Sequence, residues 1–466
     1  MRSGRPGARA AAGVLLVLSI AACGSTGDAT RTRAATTPGG AGVPAATTPG
    51  IANVPTAMAR AAKPKRKPAR PIGIPKGWPS RLAIGLSDVE DGAAALREKA
   101  PFGVRWAYLS GGAGGPGTWQ RWRQGNGSYA TAFVSDSASH GQVPFLSYYV
   151  LQQTEGADHL THERDKVLTG LRDPSVLRPV VADLTVALRR MQEGGARLSV
   201  LQVEPDLWGY AQQRYGEDAT KVPVAVRAAG GALAKGLRDD LRGFATLVAR
   251  IRNREARSVR LAFPVSIWGT NKDIVGSQPD EDELRAMIGR TTRFYRSLGR
   301  PFDLLTFEYA NRTSGYARVV DGVPADQVEW SSTDYARHMR YVRGVIAGAR
   351  RAGVLWQVPV GNDVMAASDD TKGHYRDDKV QRLLGDRGRP LLRSMRASGV
   401  IGVLFGSAFP NDTCACDAQK DGVTGKEARG GRRPALSADD DGGYLVDQVK
   451  RYVRGGALRS TGVPRR

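Results

Sequence analysis

The chain predicts an α/β protein built as a parallel (β/α)8 barrel, and three observations carry the prediction. Eight short apolar, β-branched runs recur after Pro71. Most are separated by stretches with helical spacing. The runs are nearly continuous in apolar residues, as strands buried on both faces must be. An open doubly wound sheet is the rival arrangement, and it favours a Gly-rich phosphate turn after an early strand. The one candidate, GGAGGPG at 111–117, lacks the GxGxxG spacing and leads into TWQRWRQGN rather than an apolar helix. It reads as a loop.

The segment ahead of the barrel divides into two. Arg2, Arg5 and Arg9 precede AAAGVLLVLSIAA (10–22), an apolar stretch too short to span comfortably as a mature transmembrane helix. Small residues in IAAC stand directly before Cys23. This resembles a bacterial lipobox, which implies a signal peptide over 1–22, acylation of Cys23 and a lipoprotein on the outer face of the cytoplasmic membrane. An ordinary secretory signal cleaved nearby is the alternative, and the protein is exported in either case. Residues 23–70 are rich in Ala, Thr, Gly and Pro with few large apolar side chains, which predicts a disordered stalk. The stalk ends in the basic run KPKRKPAR (63–70), either a contact for anionic lipid or envelope polymer or a solvated linker. The barrel is expected over 71–456 and a basic tail over 457–466.

The strands are predicted, in order, at 81–88, 102–112, 143–153, 198–206, 259–269, 302–311, 354–362 and 401–409. DLTVALRRMQEGG precedes the fourth, LRGFATLVARIRN the fifth and DYARHMRYVRGVIAGARRAG the seventh; the last of these ends in Arg residues and stops at Gly353. DGGYLVDQVKRYVRGG is the closing helix.

The net charge is +23, from 68 Lys and Arg against 45 Asp and Glu. No helix-turn-helix, zinc-finger or RNA-binding signature accompanies it, and an exported protein does not meet genomic DNA, so nucleic acid is excluded as partner. Anionic envelope material is the expected counterpart. Of 3 Cys, Cys414 and Cys416 share NDTCACDAQKDG. A tight disulfide or a free-thiol loop is expected there, with calcium at Asp412, Asp417 and Asp421 ranked behind. With 5 His and no HExxH, no metal or other cofactor is expected.

The predicted strand ends are polar and aromatic. They bring Asp88; Arg105, Trp106 and Tyr108; Tyr148, Tyr149, Gln152 and Gln153; Glu204, Asp206 and Trp208; Ser266, Trp268 and Asn271; Glu308, Tyr309 and Asn311; Trp356, Gln357, Asn362 and Asp363; and Ser407, Phe409, Asn411 and Asp412. In a barrel of this kind the active site lies at that face. Sugar hydroxyls take carboxylate and amide partners, and sugar C–H faces take flat aromatic ones, so the set points to a carbohydrate. Cleaving a glycosidic bond needs two flanking carboxyls. VLQVE and LLTFE put Glu204 and Glu308 at two strand ends, each followed by aromatics. The competing reading for either is a buried ion pair, for Glu204 with an Arg such as Arg105. Asp206 is expected as a helix cap or sugar-hydroxyl ligand, and it stays a candidate acid.

VEP at 203–205 is similar to the NEP that ends strand 4 in the largest clan of (β/α)8 glycoside hydrolases. That resemblance implies Glu204 as the acid/base. The chain departs from the clan's pattern: Val203 replaces the Asn, and strand 7 ends in GND where the clan carries its nucleophile, so Glu308 on strand 6 is the expected nucleophile or base. After strand 7, residues 361–384 hold His374, Arg376 and Asp377, which either bind substrate or form a long loop with Asp377 or Asp378 as a helix cap. No Gly-x-Ser-x-Gly elbow is present. The expected function is hydrolysis of a polysaccharide at the cell surface by a monomer. The alternatives are a glycan-binding barrel without catalysis, or another envelope carbohydrate enzyme such as a lyase or transferase.

Overall fold

A computed structural model describes residues 72–309, 311–362, 377–406 and 443–460. The lipobox with Cys23, the stalk, His374 and the Cys414–Cys416 segment lie outside these residues.

Eight parallel strands close on themselves in chain order, from β1 to β8, with β8 pairing back onto β1. They are β1 (Ala83–Ser87), β2 (Val104–Ser110), β3 (Val143–Tyr149), β4 (Ser199–Val203), β5 (Val259–Val265), β6 (Leu304–Glu308), β7 (Ala352–Val358) and β8 (Val400–Phe405). Each falls within or across one predicted run, because a strand enclosed by the barrel on one face and by helices on the other has no position for a solvated side chain. Every residue of β4, β7 and β8 is buried.

Helices return the chain along the outside. Pro174–Glu193 begins at Asp173, whose carboxylate accepts from the Ser175 backbone N–H, and a proline stands in its first turn where no backbone donor is needed. Ser332–Ala349 opens with a reciprocal capping box between Ser331 and Asp334, and stops at Arg350 in the left-handed conformation (φ 60°).

Side chains alternate between the barrel lumen and the helical layer. Trp208, Phe263 and Phe302 pack together in the outer layer, Trp208 edge to face on Phe302 and the other pairs tilted, with centroids 5.2–5.4 Å apart. Burying each such ring contributes roughly 1.5–3 kcal/mol. The foot of the lumen is plugged by Trp78, whose indole N–H donates to the Ile401 carbonyl at 3.0 Å. Gly85 cannot carry a side chain there: a Cβ would stand 2.5 Å from Leu404 and 2.9 Å from Val104.

The barrel extends past the predicted boundary at 456. Leu82 N–H donates to the Leu458 carbonyl at 2.7 Å and Ser460 N–H to Ser80 at 2.8 Å, so residues 457–460 belong to the fold. Among the described residues no helix is long and apolar enough to cross a membrane.

Candidate functional site

The C-terminal ends of the strands surround a cleft. Tyr108 of β2, Tyr149 of β3, Glu308 of β6 and Trp356 and Gln357 of β7 line it, together with Asp206 after β4 and Arg312 after β6. Pro205, Pro264, Val265, Ser266 and Thr306 complete its walls.

Glu308 is the last residue of β6. The Arg312 guanidinium, four residues on, binds one carboxylate oxygen, and the Trp268 indole N–H donates to the other at 3.2 Å. Arg312 also donates to the Gln357 amide oxygen at 2.9 Å, and the Gln357 amide donates to the Tyr108 hydroxyl at 2.6 Å. A continuous polar chain therefore fixes Glu308 across β6, β7 and β2. Gln357 enters this chain through a register irregularity in β7 and a left-handed backbone, φ 60°.

Asp206 stands opposite in character. It occupies the N-cap position of helix Leu207–Tyr215, yet its side chain makes no cap bond. Burial raises its carboxyl well above the usual range, the charges of Glu163 and Glu308 add to the rise, and Arg312 and the Tyr149 hydroxyl pull it partly back. Tyr149 donates to Glu163 and so faces both carboxyls. Tyr210 also faces Glu163 and packs against Trp268 with centroids 4.9 Å apart. The cleft thus holds a carboxyl whose surroundings favour its protonated form and a second carboxylate paired with a guanidinium.

Glu204, the expected acid, is not among the residues that line this cleft. Alternation from Gln202, whose amide donates to Ser147 at 3.1 Å, would have sent it inward. Instead Glu204 turns at φ 50°. Its Oε1 accepts the backbone N–H groups of Val150 and Leu151 at 3.1 and 2.9 Å, tying the end of β4 to the turn after β3. Burial pushes this carboxyl up to about 8, against the pull of those two donors. Its expected alternative partner, Arg105, is elsewhere.

Arg105 and Asp88 belong to a structural ion cluster, not to the cleft. Fully buried Arg105 bonds Asp88 at 2.7 Å and Asp136 at 2.9 Å, donates to Ser137 and the Val89 carbonyl, and lies 4.6 Å over the Phe133 ring. Trp106 sits below the cleft, donating to the Phe405 carbonyl at 2.6 Å and packing on Trp356 and Tyr108. Tyr148 points outward and donates to the Val180 carbonyl, while its neighbour Tyr149 faces the cleft. Trp208 is in the outer aromatic layer, and Tyr309 bonds Tyr335 at 2.8 Å beside Trp330. Asn271 is exposed and donates to the Gln213 carbonyl. Buried Asn311 and Asn362 do not line the cleft, and Asp377 is buried with its carboxylate on the Lys379 N–H. Of the expected strand-end set, Tyr108, Tyr149, Asp206, Ser266, Glu308, Trp356 and Gln357 are brought together in the cleft, with Trp268 bonded to Glu308.

Glu163 and Arg312 carried no strand-end signal, since both come from segments beyond the strands. Among the described residues no group of three or more His, Cys, Asp or Glu is placed to hold a metal ion.

No protein family matches the chain, and no curated protein does. Among solved structures it is similar to the catalytic domain of a Bacillus sp. JAMB-750 family 26 endo-β-1,4-mannanase, at 10% identity and TM-score 0.44, over 80% of this chain and 86% of that one. A modular endo-β-1,4-mannanase from Cellulomonas fimi gives 11% and 0.43, over 83% and 74%. A family 30 endoxylanase from Clostridium papyrosolvens C71 gives 11% and 0.38, over 81% and 74%. Likeness at this level bears on neither substrate nor reaction.

Proposed function

We propose that the protein hydrolyses glycosidic bonds in a polysaccharide, with Asp206 as general acid and Glu308 as nucleophile or base. One observation carries this reading: a single cleft joins Asp206, whose carboxyl burial and acidic neighbours push well above the usual range, to a carboxylate held by Arg312 and Trp268. Asp206 gives its proton to the departing glycosidic oxygen, a step worth typically about 10²–10⁴-fold. Glu308 meets the positive charge that grows at the anomeric carbon, either by attacking it or by activating water. A carboxyl separation of about 5 Å means retention, and a clearly longer one inversion. Trp356, Tyr108 and Trp268 offer the flat surfaces that sugar rings stack on. Glu204 serves as a support that positions the strand ends. Export, and anchoring through acylated Cys23, belong to the same proposal and are supported by the basic start, the apolar stretch 10–22 and IAAC.

The test is release of new reducing ends from a panel of plant, fungal and bacterial envelope polysaccharides by the full chain and by Glu308→Gln. Release that depends on Glu308 supports the reading. Release that persists in Glu308→Gln removes Glu308 from the mechanism. A second reading, glycan binding without cleavage, is favoured by the ion pair that already occupies Glu308. Binding of a panel member with no release would establish it.

A further inference from the structure

Among the described residues the barrel carries its charge unevenly from end to end. Each helix runs back along parallel strands, so every loop that leads from a helix into a strand lies at the foot, opposite the cleft. The segments 72–82 and 455–460 join that end, as the Trp78–Ile401 and Leu82–Leu458 bonds fix. Together these foot segments hold eight Lys or Arg side chains and a single carboxylate, Asp303. Asp303 is itself bound by Arg252 at 2.7 Å. Arg197, Arg257, Arg350 and Arg459 are exposed and make no ion pair among the described residues. Compensation of helix dipoles explains cations in a last turn, such as Arg254, but not those in the loops beyond. At the other end, the 150–162 loop after β3 contains Glu155 and Asp158 and no Lys or Arg, and the cleft lining sets Asp206 and Glu308 against Arg312.

We infer that the foot of the barrel docks on an anionic phospholipid bilayer, leaving the cleft turned away from the membrane. The cations come from the segments that lead into β1, β4, β5, β6 and β7 and from 455–460, so they spread over much of one end rather than along one stripe or groove. A plane of headgroups meets such a spread all at once, whereas a linear polyanion meets only part of it. Guanidinium groups match phosphate oxygens two at a time. Each cation near an anionic leaflet strengthens binding roughly fivefold. The inference uses none of the cleft's chemistry, so it stands or falls apart from the proposed hydrolysis.

The test uses the full chain with Cys23→Ser, so that no acyl chain contributes, and with the Lys and Arg of residues 63–70 changed to Gln. Co-sedimentation is measured with phosphatidylcholine vesicles, alone and with about 30% phosphatidylglycerol, at about 0.1 M salt. Two added triples lose equal charge: Arg197→Gln, Arg257→Gln, Arg459→Gln at the foot, and Arg121→Gln, Arg164→Gln, Arg285→Gln towards the mouth. Circular dichroism and thermal melts confirm that both are folded. The foot triple is expected to weaken binding to the phosphatidylglycerol vesicles on the order of 100-fold, and the mouth triple by less than about threefold. Equal loss in both triples, or no dependence on phosphatidylglycerol, overturns the inference. Equally tight, foot-dependent binding to soluble long-chain polyphosphate overturns it in favour of a polymer partner.

Discussion

Glu204→Gln separates a buried support from a catalytic acid. In the folded chain the Glu204 carboxyl sits at about 8, against an ordinary 4.5, with burial as the main cause. The folded state therefore binds this proton more tightly than the unfolded state does. Stability from the group is fully present below about pH 4.5 and is lost as pH rises towards 8. At 1.36 kcal/mol per pH unit, the loss reaches about 3 kcal/mol at pH 7 and about 5 kcal/mol above pH 8. Glutamine keeps the oxygen that accepts from Val150 and Leu151 and carries no charge. The variant should match the wild type near pH 4.5 and exceed it by those amounts at higher pH. Urea unfolding of both proteins from pH 4.5 to 9 reads the difference, and subtraction removes the other titrating groups they share. A difference that is flat with pH, or a wild type that gains on the variant as pH rises, refutes a buried neutral Glu204.

Arg105→Ala leaves Asp88 and Asp136 without their shared cation and should cost about 3 kcal/mol or more, read by chemical unfolding. Arg312→Ala removes the guanidinium paired with Glu308 and a donor to Gln357; cleavage should fall on the order of 100-fold with little change in Tm, measured on whichever polymer the panel identifies. Arg350→Gly replaces an exposed left-handed residue at a helix end and should raise stability by about 1 kcal/mol, visible as a higher Tm.

The architecture was legible because burial on both faces leaves a strong mark: eight continuous apolar runs can hardly be anything but enclosed strands. Glu308 was legible for the same reason, as the polar residue that ends such a run. The cleft was read less well where the backbone leaves regular geometry. Strand alternation extends inward to Gln202 and fails at Glu204, whose left-handed φ no residue in VLQVEPD announces. The next carboxylate, Asp206, takes the cleft position instead. Tyr148 and Tyr149 are adjacent, and only the register of β3 against β4 decides which faces inward. Gln357 reaches the cleft through an irregularity that pattern cannot reveal. Glu163 and Arg312 arrive from outside the strands, and their meeting with Asp206 and Glu308 is a fact of tertiary packing.

The central claim is that Asp206, not Glu204, works with Glu308. The most direct test is the rate of reducing-end release by Asp206→Asn and Glu204→Gln, side by side, on one susceptible polymer. Asp206→Asn should lose at least about 100-fold, while Glu204→Gln stays within about tenfold of the wild type. The reverse order would return the acid to Glu204 and contradict the account.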